Sequence, residues 1–224
     1  MKKHLPLFAT LVAASVSADA AVITWGAATD VSGPSDVVTT GSLVQATNYG
    51  GSVNQTINGV TFAAASPAPF SYAESNEANN YFTGTTGSAA YDGALDAAAW
   101  SNGAGTLALT GLTLGNQYTV QIWYAEDRAG QVNRGFMRYS SDPTFASATL
   151  SLPSGTTALP NQAKFGVGTF TATGTTQDIY VQEDTEGFGQ FNLFQLRDVT
   201  VPEPGTITLT GFMALALLRR RNRA

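Results

Sequence analysis

The sequence has no cysteine and a single histidine. Disulfides and thiolate chemistry are therefore absent. The one imidazole, His4, sits at the extreme N-terminus. Ser-His-Asp and Cys-His nucleophile systems, and the usual zinc ligand sets, need side chains that the remainder of the chain does not carry. Charge is scarce as well, at 12% of 224 residues, against roughly a quarter in an average globular protein. Between Ala21 and Thr200, five cations (Arg128, Arg134, Arg138, Lys164, Arg197) face fourteen carboxylates, which leaves that stretch at about −9. Binding nucleic acid by counterion release takes clustered cations, so nucleic acid is excluded as a partner. No Gly-rich phosphate loop with a lysine occurs, and no apolar run reaches the roughly 20 residues of a comfortable membrane span.

What is present begins with two unusual ends. Met1-Lys2-Lys3-His4 is a short positive segment, Leu5 to Val16 is mostly apolar, and Ala18-Asp19-Ala20 has the small-x-small form of a cleavage site. That order predicts a secretory signal peptide over 1–20, so that the exported chain starts near Ala21 and carries no histidine. A body of 180 residues buries enough apolar surface to do without disulfides outside the cell.

The other end reads VPEPGTITLTGFMALALLRRRNRA. Pro202 and Pro204 neither continue a helix nor donate to a sheet ladder, so they mark a break after the body. Residues 205–218 are uncharged, and as a helix would span about 21 Å, short of a bilayer core of about 30 Å. Arg219, Arg220, Arg221 and Arg223 follow at once, and by the positive-inside rule they stay cytoplasmic. A short anchor with its body outside suits a segment held briefly and then removed. The alternative is an ordinary C-terminal membrane anchor.

Pro202-Glu203-Pro204, an apolar span and an arginine cluster, in that order, resemble the PEP-CTERM sorting tail of Gram-negative bacteria. The resemblance covers about 24 residues, 201–224. It implies processing by an exosortase, a membrane-embedded enzyme, with the protein transiently anchored in the inner membrane. It further implies delivery to the cell surface or to an exopolysaccharide matrix. The span is shorter and richer in threonine than the pattern asks.

The stretch 21–200 reads as all-β. Apolar runs are short and are divided by turn signals such as Asn58-Gly59, Asn102-Gly103 and Pro153-Ser154-Gly155. Strands are expected at Val22–Trp25, Gly59–Ala64, Thr106–Leu109, Tyr118–Ala125, Gly135–Ser140, Ala148–Leu152, Phe165–Thr173, Gln177–Glu183 and Gln190–Val199. A short helical turn is expected at Ala94–Trp100. In LTGLTLGNQYTVQIWYAEDR, Leu112, Gly115 and Tyr118 are spaced like the tyrosine corner of immunoglobulin-like and fibronectin-type sandwiches. This segment and the closing FNLFQLRDV are also similar to bodies common in PEP-CTERM proteins. With no second copy of the corner, the expectation is one jelly-roll-like antiparallel β-sandwich, preceded by the signal peptide and followed by a short hydrophobic helix.

Candidate chemistry lies near the end of the central strand. Side chains alternate between faces, which assigns Tyr118, Val120, Ile122 and Tyr124 to the core and Thr119, Gln121 and Trp123 to a wetter face. There Trp123 reads either as a stacking platform for a sugar, with Gln121 beside it, or as a ring covered by a loop or by the N-terminal segment. Asp127, Arg128, Arg134 and Arg138 read either as a fork for an acidic sugar or as ion pairs with Glu126, Asp127 or Asp142. Glu183, Asp184 and Glu186 are weak calcium candidates, since no EF-hand-like spacing accompanies them, or else a solvated turn. No other cofactor is indicated. Two carboxylates such as Glu126 and Glu183 are the one remaining route to catalysis, through glycoside hydrolysis. The stretch SYAESNEANNYFTGTTGSAAYDGALD reads as a long surface connection that either folds over the sandwich as a lid or is mobile.

The function expected from these residues is that of an exported, non-catalytic surface or matrix protein that contacts carbohydrate. The alternatives are a carboxylate-based enzyme acting on polysaccharide and a protein–protein adhesion module.

Overall fold

The computed structural model describes residues 20–65, 72–75, 80–128, 135–154, 163–185 and 187–200. The tail, the expected signal peptide apart from Ala20, Arg134 and Glu186 lie outside them. Among the described residues are fifteen strands and one seven-residue α-helix, so the all-β expectation holds. None of their helices is long and apolar enough to cross a membrane.

In chain order the strands are β1 (Thr24–Trp25), β2 (Thr29–Asp30), β3 (Ser42–Tyr49), β4 (Gln55–Ile57), β5 (Val60–Ala65), β6 (Tyr72–Ser75), β7 (Ala97–Ser101), β8 (Gly105–Thr110), β9 (Gln117–Tyr124), β10 (Phe136–Ser140), β11 (Thr149–Pro153), β12 (Lys164–Thr171), β13 (Thr176–Glu183), β14 (Gly189–Phe191) and β15 (Leu193–Asp198). The helix α1 (Ala89–Leu95) falls between β6 and β7. The large sheet runs β1-β12-β9-β15-β3-β5-β4, with β2 also paired to β12. A four-stranded sheet runs β11-β10-β13-β8, and a small one β14-β7-β6. All pairings in the large sheet are antiparallel except β3 with β5.

The alternation read in β9 is realised on one face. Tyr118, Val120, Ile122 and Tyr124 meet Leu107 and Leu109 of β8, Met137 and Tyr139 of β10, Leu150 and Leu152 of β11, and Ile179 and Val181 of β13. This interlayer is the main core, and it holds the large and four-stranded sheets face to face. Gly166 of β12 makes the contact close. A Cβ there would lie 2.3 Å from Leu150 Cδ2.

The other face of the large sheet is not wet around Trp123 and Gln121. Ala46 of β3, Phe62 of β5, Trp123 of β9, Phe165 of β12 and Leu193 of β15 form a second core with Val37 and with Tyr91, Ala94 and Leu95 of α1. The expectation of a wetter face for Gln121 and Trp123 is therefore corrected. β9 is buried on both faces apart from its first residue, as happens when a second layer covers a sheet. That layer comes from the predicted surface connection, whose residues 88–95 carry α1. Ser88 caps it by accepting a bond from the Tyr91 N–H at 3.4 Å.

Two local readings are met directly. The Thr113 N–H donates to the Tyr118 hydroxyl at 2.8 Å, which closes the tyrosine corner. Asn58 and Gly59, with φ of 49° and 76°, turn β4 into β5 as two-residue hairpin loops require. Two others shift. The helix occupies Ala89–Leu95 rather than Ala94–Trp100, because the alanines of β7 pair with β6 and β14. The single strand expected over Gln190–Val199 is cut at Asn192 into β14 and β15, which belong to different sheets.

Candidate functional site

β9 pairs with β12 on one side and β15 on the other, placing Gln121 opposite Gln195 and Thr119 opposite both Thr169 and Arg197. One face of the large sheet thus carries a ladder of polar side chains. Its β9–β15 side is roofed by residues 36–41. Gln121 Nε2 donates to the Asp36 carbonyl at 2.7 Å, and the Val38 N–H donates to Gln121 Oε1 at 3.0 Å. Gln195 Nε2 donates to the Val38 carbonyl at 3.0 Å and to Gln121 Oε1 at 2.7 Å. The Arg197 guanidinium donates to the carbonyls of Thr39, Thr40 and Gly41 at 2.9, 2.9 and 2.8 Å. Burial pulls the pKa of Arg197 below its usual value. Each of these groups would be costly to bury without a partner, and each finds it in the chain's own backbone.

Trp123 is fully buried beside this ladder. Its Nε1 donates to the Tyr91 hydroxyl at 2.5 Å, and its ring meets Phe62 edge-on, centroid to centroid 5.6 Å. Burial pushes the Tyr91 pKa well above its ordinary value, so the hydroxyl stays neutral. The stacking platform read at Trp123 and Gln121 is corrected accordingly: no sugar ring reaches a side chain sealed beneath α1. Sequence reasoning missed Tyr91, since a tyrosine among small residues gives no sign of the ring it roofs.

At the end of β9, Glu126 is buried and Arg128 grips it at two points, Nε to Oε1 at 2.8 Å and Nη2 to Oε2 at 2.7 Å. The guanidinium also lies 4.0 Å from the centre of the Tyr81 ring. Asp127 Oδ2 accepts from the N–H and hydroxyl of Thr83 at 3.0 and 3.3 Å. These residues fix the ends of neighbouring loops, as the ion-pair reading had it, and the fork is turned to Glu126 rather than to a ligand. Glu183 is buried and accepts from the Thr185 hydroxyl, while Asp184 Oδ1 accepts from the Phe136 N–H at 2.9 Å. Among the described residues no group of three metal-ligating side chains gathers there.

No described residue roofs the β1–β12 side of the same outer face. Thr24, Thr169 and Thr119 stand across β1, β12 and β9, and Thr171 stands opposite Gln117 one rung further down. Thr24, Gln117, Thr169 and Thr171 are exposed. They line a groove of about 550 Å³ together with Val22, Thr173 and Val199. Among the described residues, no hydrogen bond engages the hydroxyls of Thr24, Thr169 and Thr171 or the side-chain amide of Gln117, whose backbone N–H donates to the Thr200 hydroxyl at 2.9 Å. Sequence reasoning missed this site too, although the alternation in Thr169-Phe170-Thr171-Ala172-Thr173 was the signal for it.

No family model, curated protein or solved structure matches this chain.

Proposed function

We propose that the chain is an exported, non-catalytic surface or matrix protein, a jelly-roll-type sandwich that contacts carbohydrate and is addressed by its C-terminal tail. The observation that carries this reading is the sequence of the tail, three parts in a fixed succession: Pro202-Glu203-Pro204, the apolar span 205–218, and Arg219, Arg220, Arg221 and Arg223. An exosortase-type enzyme acts on that tail after a transient stay in the inner membrane of a Gram-negative cell. The body supports the reading in two ways. Ala21 and Val199 line the same groove, so both ends of the body leave from one end of the sandwich. A body held there would present the rest of itself away from the membrane. Moreover, Glu126, one half of the conceivable catalytic pair, is held at both oxygens by Arg128, whereas general acid–base work needs a carboxyl free to reach substrate.

The test is fractionation of cells producing the full chain beside a variant with Arg219, Arg220, Arg221 and Arg223 all changed to Ser. The original should appear at the surface or in the matrix in shortened form, and the variant should accumulate at full length in the membrane. Identical size and location for both, or a cytosolic original, overturns the proposal.

A further inference from the structure

The large sheet's outer face is divided. On the β9–β15 side, Gln121, Gln195 and Arg197 are spent on the roof formed by residues 36–41. On the β1–β12 side the sheet presents Thr24, Thr169 and Thr171, with Gln117 of β9, to solvent, and their side chains have no hydrogen-bond partner among the described residues. We propose that this unroofed half binds a neutral, polyhydroxylated chain, a short stretch of uncharged glycan.

The groove's chemistry selects that class. Among the described residues no charged side chain lines it, so neither phosphate nor a uronic acid finds a counter-charge there, and the surrounding body is acidic. Hydroxyls and an amide both donate and accept, which suits a ligand that is itself a set of hydroxyls. Cross-strand neighbours stand about 5 Å apart, and same-face neighbours along a strand about 7 Å apart, so the four groups form a grid on the scale of a sugar residue. Threonine is β-branched and stiff at χ1, and the strands beneath are paired on both sides at β12 and β9. The hydroxyls are thus fixed before binding, which lowers the entropic cost. The apolar rims of Val22 and Val199 offer contact to the CH faces of a sugar. The volume, about 550 Å³, falls in the range of roughly 300–1,000 Å³ typical of ligand sites.

This inference rests on the carbohydrate contact proposed above and names its site. The experiment titrates the full-length chain with neutral linear hexasaccharides of gluco, manno and galacto configuration, and with an oligogalacturonate of equal length, read by saturation-transfer NMR and calorimetry. At least one neutral hexasaccharide should bind, and the oligogalacturonate should bind more weakly. Changing Thr169 and Thr171 together to Val keeps shape and strand propensity but removes two hydroxyls. It should weaken binding about tenfold while leaving the melting temperature within a few degrees. Gln117→Ala is the second, independent probe at an exposed position and should also weaken binding. No binding of any neutral hexasaccharide overturns the proposal, as does binding that both variants leave untouched or tighter binding of the acidic oligomer. Surface fractionation of the same variants separates the two readings: correct delivery without glycan binding sinks the groove alone, and cytosolic protein sinks the exported reading.

Discussion

Trp123 Nε1 donates to the Tyr91 hydroxyl at 2.5 Å, joining the central strand of the large sheet to the helix that covers it. Both side chains are fully buried. Tyr91→Phe leaves the indole N–H buried without a partner, which costs about 1–3 kcal/mol. Urea denaturation should show that loss, and Trp123→Ala should show about 3–5 kcal/mol. An unchanged midpoint for Tyr91→Phe would mean that the bond contributes nothing to holding α1 in place.

Burial raises the pKa of Tyr49 to about 12, and it raises those of Tyr91 and Tyr139 as well. A group whose folded pKa lies above its unfolded value loses protons first in the unfolded chain, so stability falls as pH rises past the unfolded pKa near 10. The protein should be insensitive to alkali up to about pH 10 and lose stability steadily from there to about pH 12. Urea midpoints taken from pH 8 to 12 would check this. Tyr49→Phe should flatten the decline, and an equally steep decline in that variant would remove Tyr49 from the account.

Arg197 holds three consecutive backbone carbonyls of the roof. Arg197→Leu keeps the bulk of the stem but leaves those carbonyls without their donor, for a loss of about 1–3 kcal/mol. Hydrogen exchange should quicken at the Val38 amide, which is bonded to Gln121, before it does in the main core. Uniform quickening across β9 and β13 would show instead that the roof and the sandwich open as one unit.

Gly166 faces Leu150 with no room for a methyl group. Gly166→Ala should destabilise by about 1–3 kcal/mol through overpacking. Leu150→Ala should cost about 2–5 kcal/mol alone. The double variant should be more stable than the sum of the two costs predicts, because the added methyl enters the space that the leucine vacates. Strict additivity in a double-mutant cycle would show that the two positions do not touch.

The strands of the four-stranded sheet, together with β9 and β12, were legible in the sequence because short runs of alternating apolar and polar residues are set off by turn signals. Their boundaries fell within a residue or two of those observed. β3 was not legible, although it lies inside the large sheet. Its first residues are exposed, while Thr47, Asn48 and Tyr49 are buried together, so no period of two survives. The ion pair of Arg128 with Glu126 was among the readings that spacing allowed, because the partners are two residues apart. The roof of residues 36–41 was not, because its partners Gln121, Gln195 and Arg197 lie some 80 to 160 residues away in sequence.

By itself, the sequence determined the chemical limits of this protein. It set a body without thiol or imidazole, an acidic balance, turns at Asn58-Gly59 and at the Tyr118 corner, and a tail with three parts in order. These are properties of composition or of contacts within a few residues, and they do not depend on what else the chain touches. Only the tertiary structure decided which polar residues face solvent. Alternation assigns Gln121 and Trp123 to one face of β9, but it cannot tell that α1 and residues 36–41 cover them, or that pairing brings Thr169 to the same face where no described residue covers it. That choice depends on where a second layer ends, and a layer's edge is set by packing between segments distant in the chain.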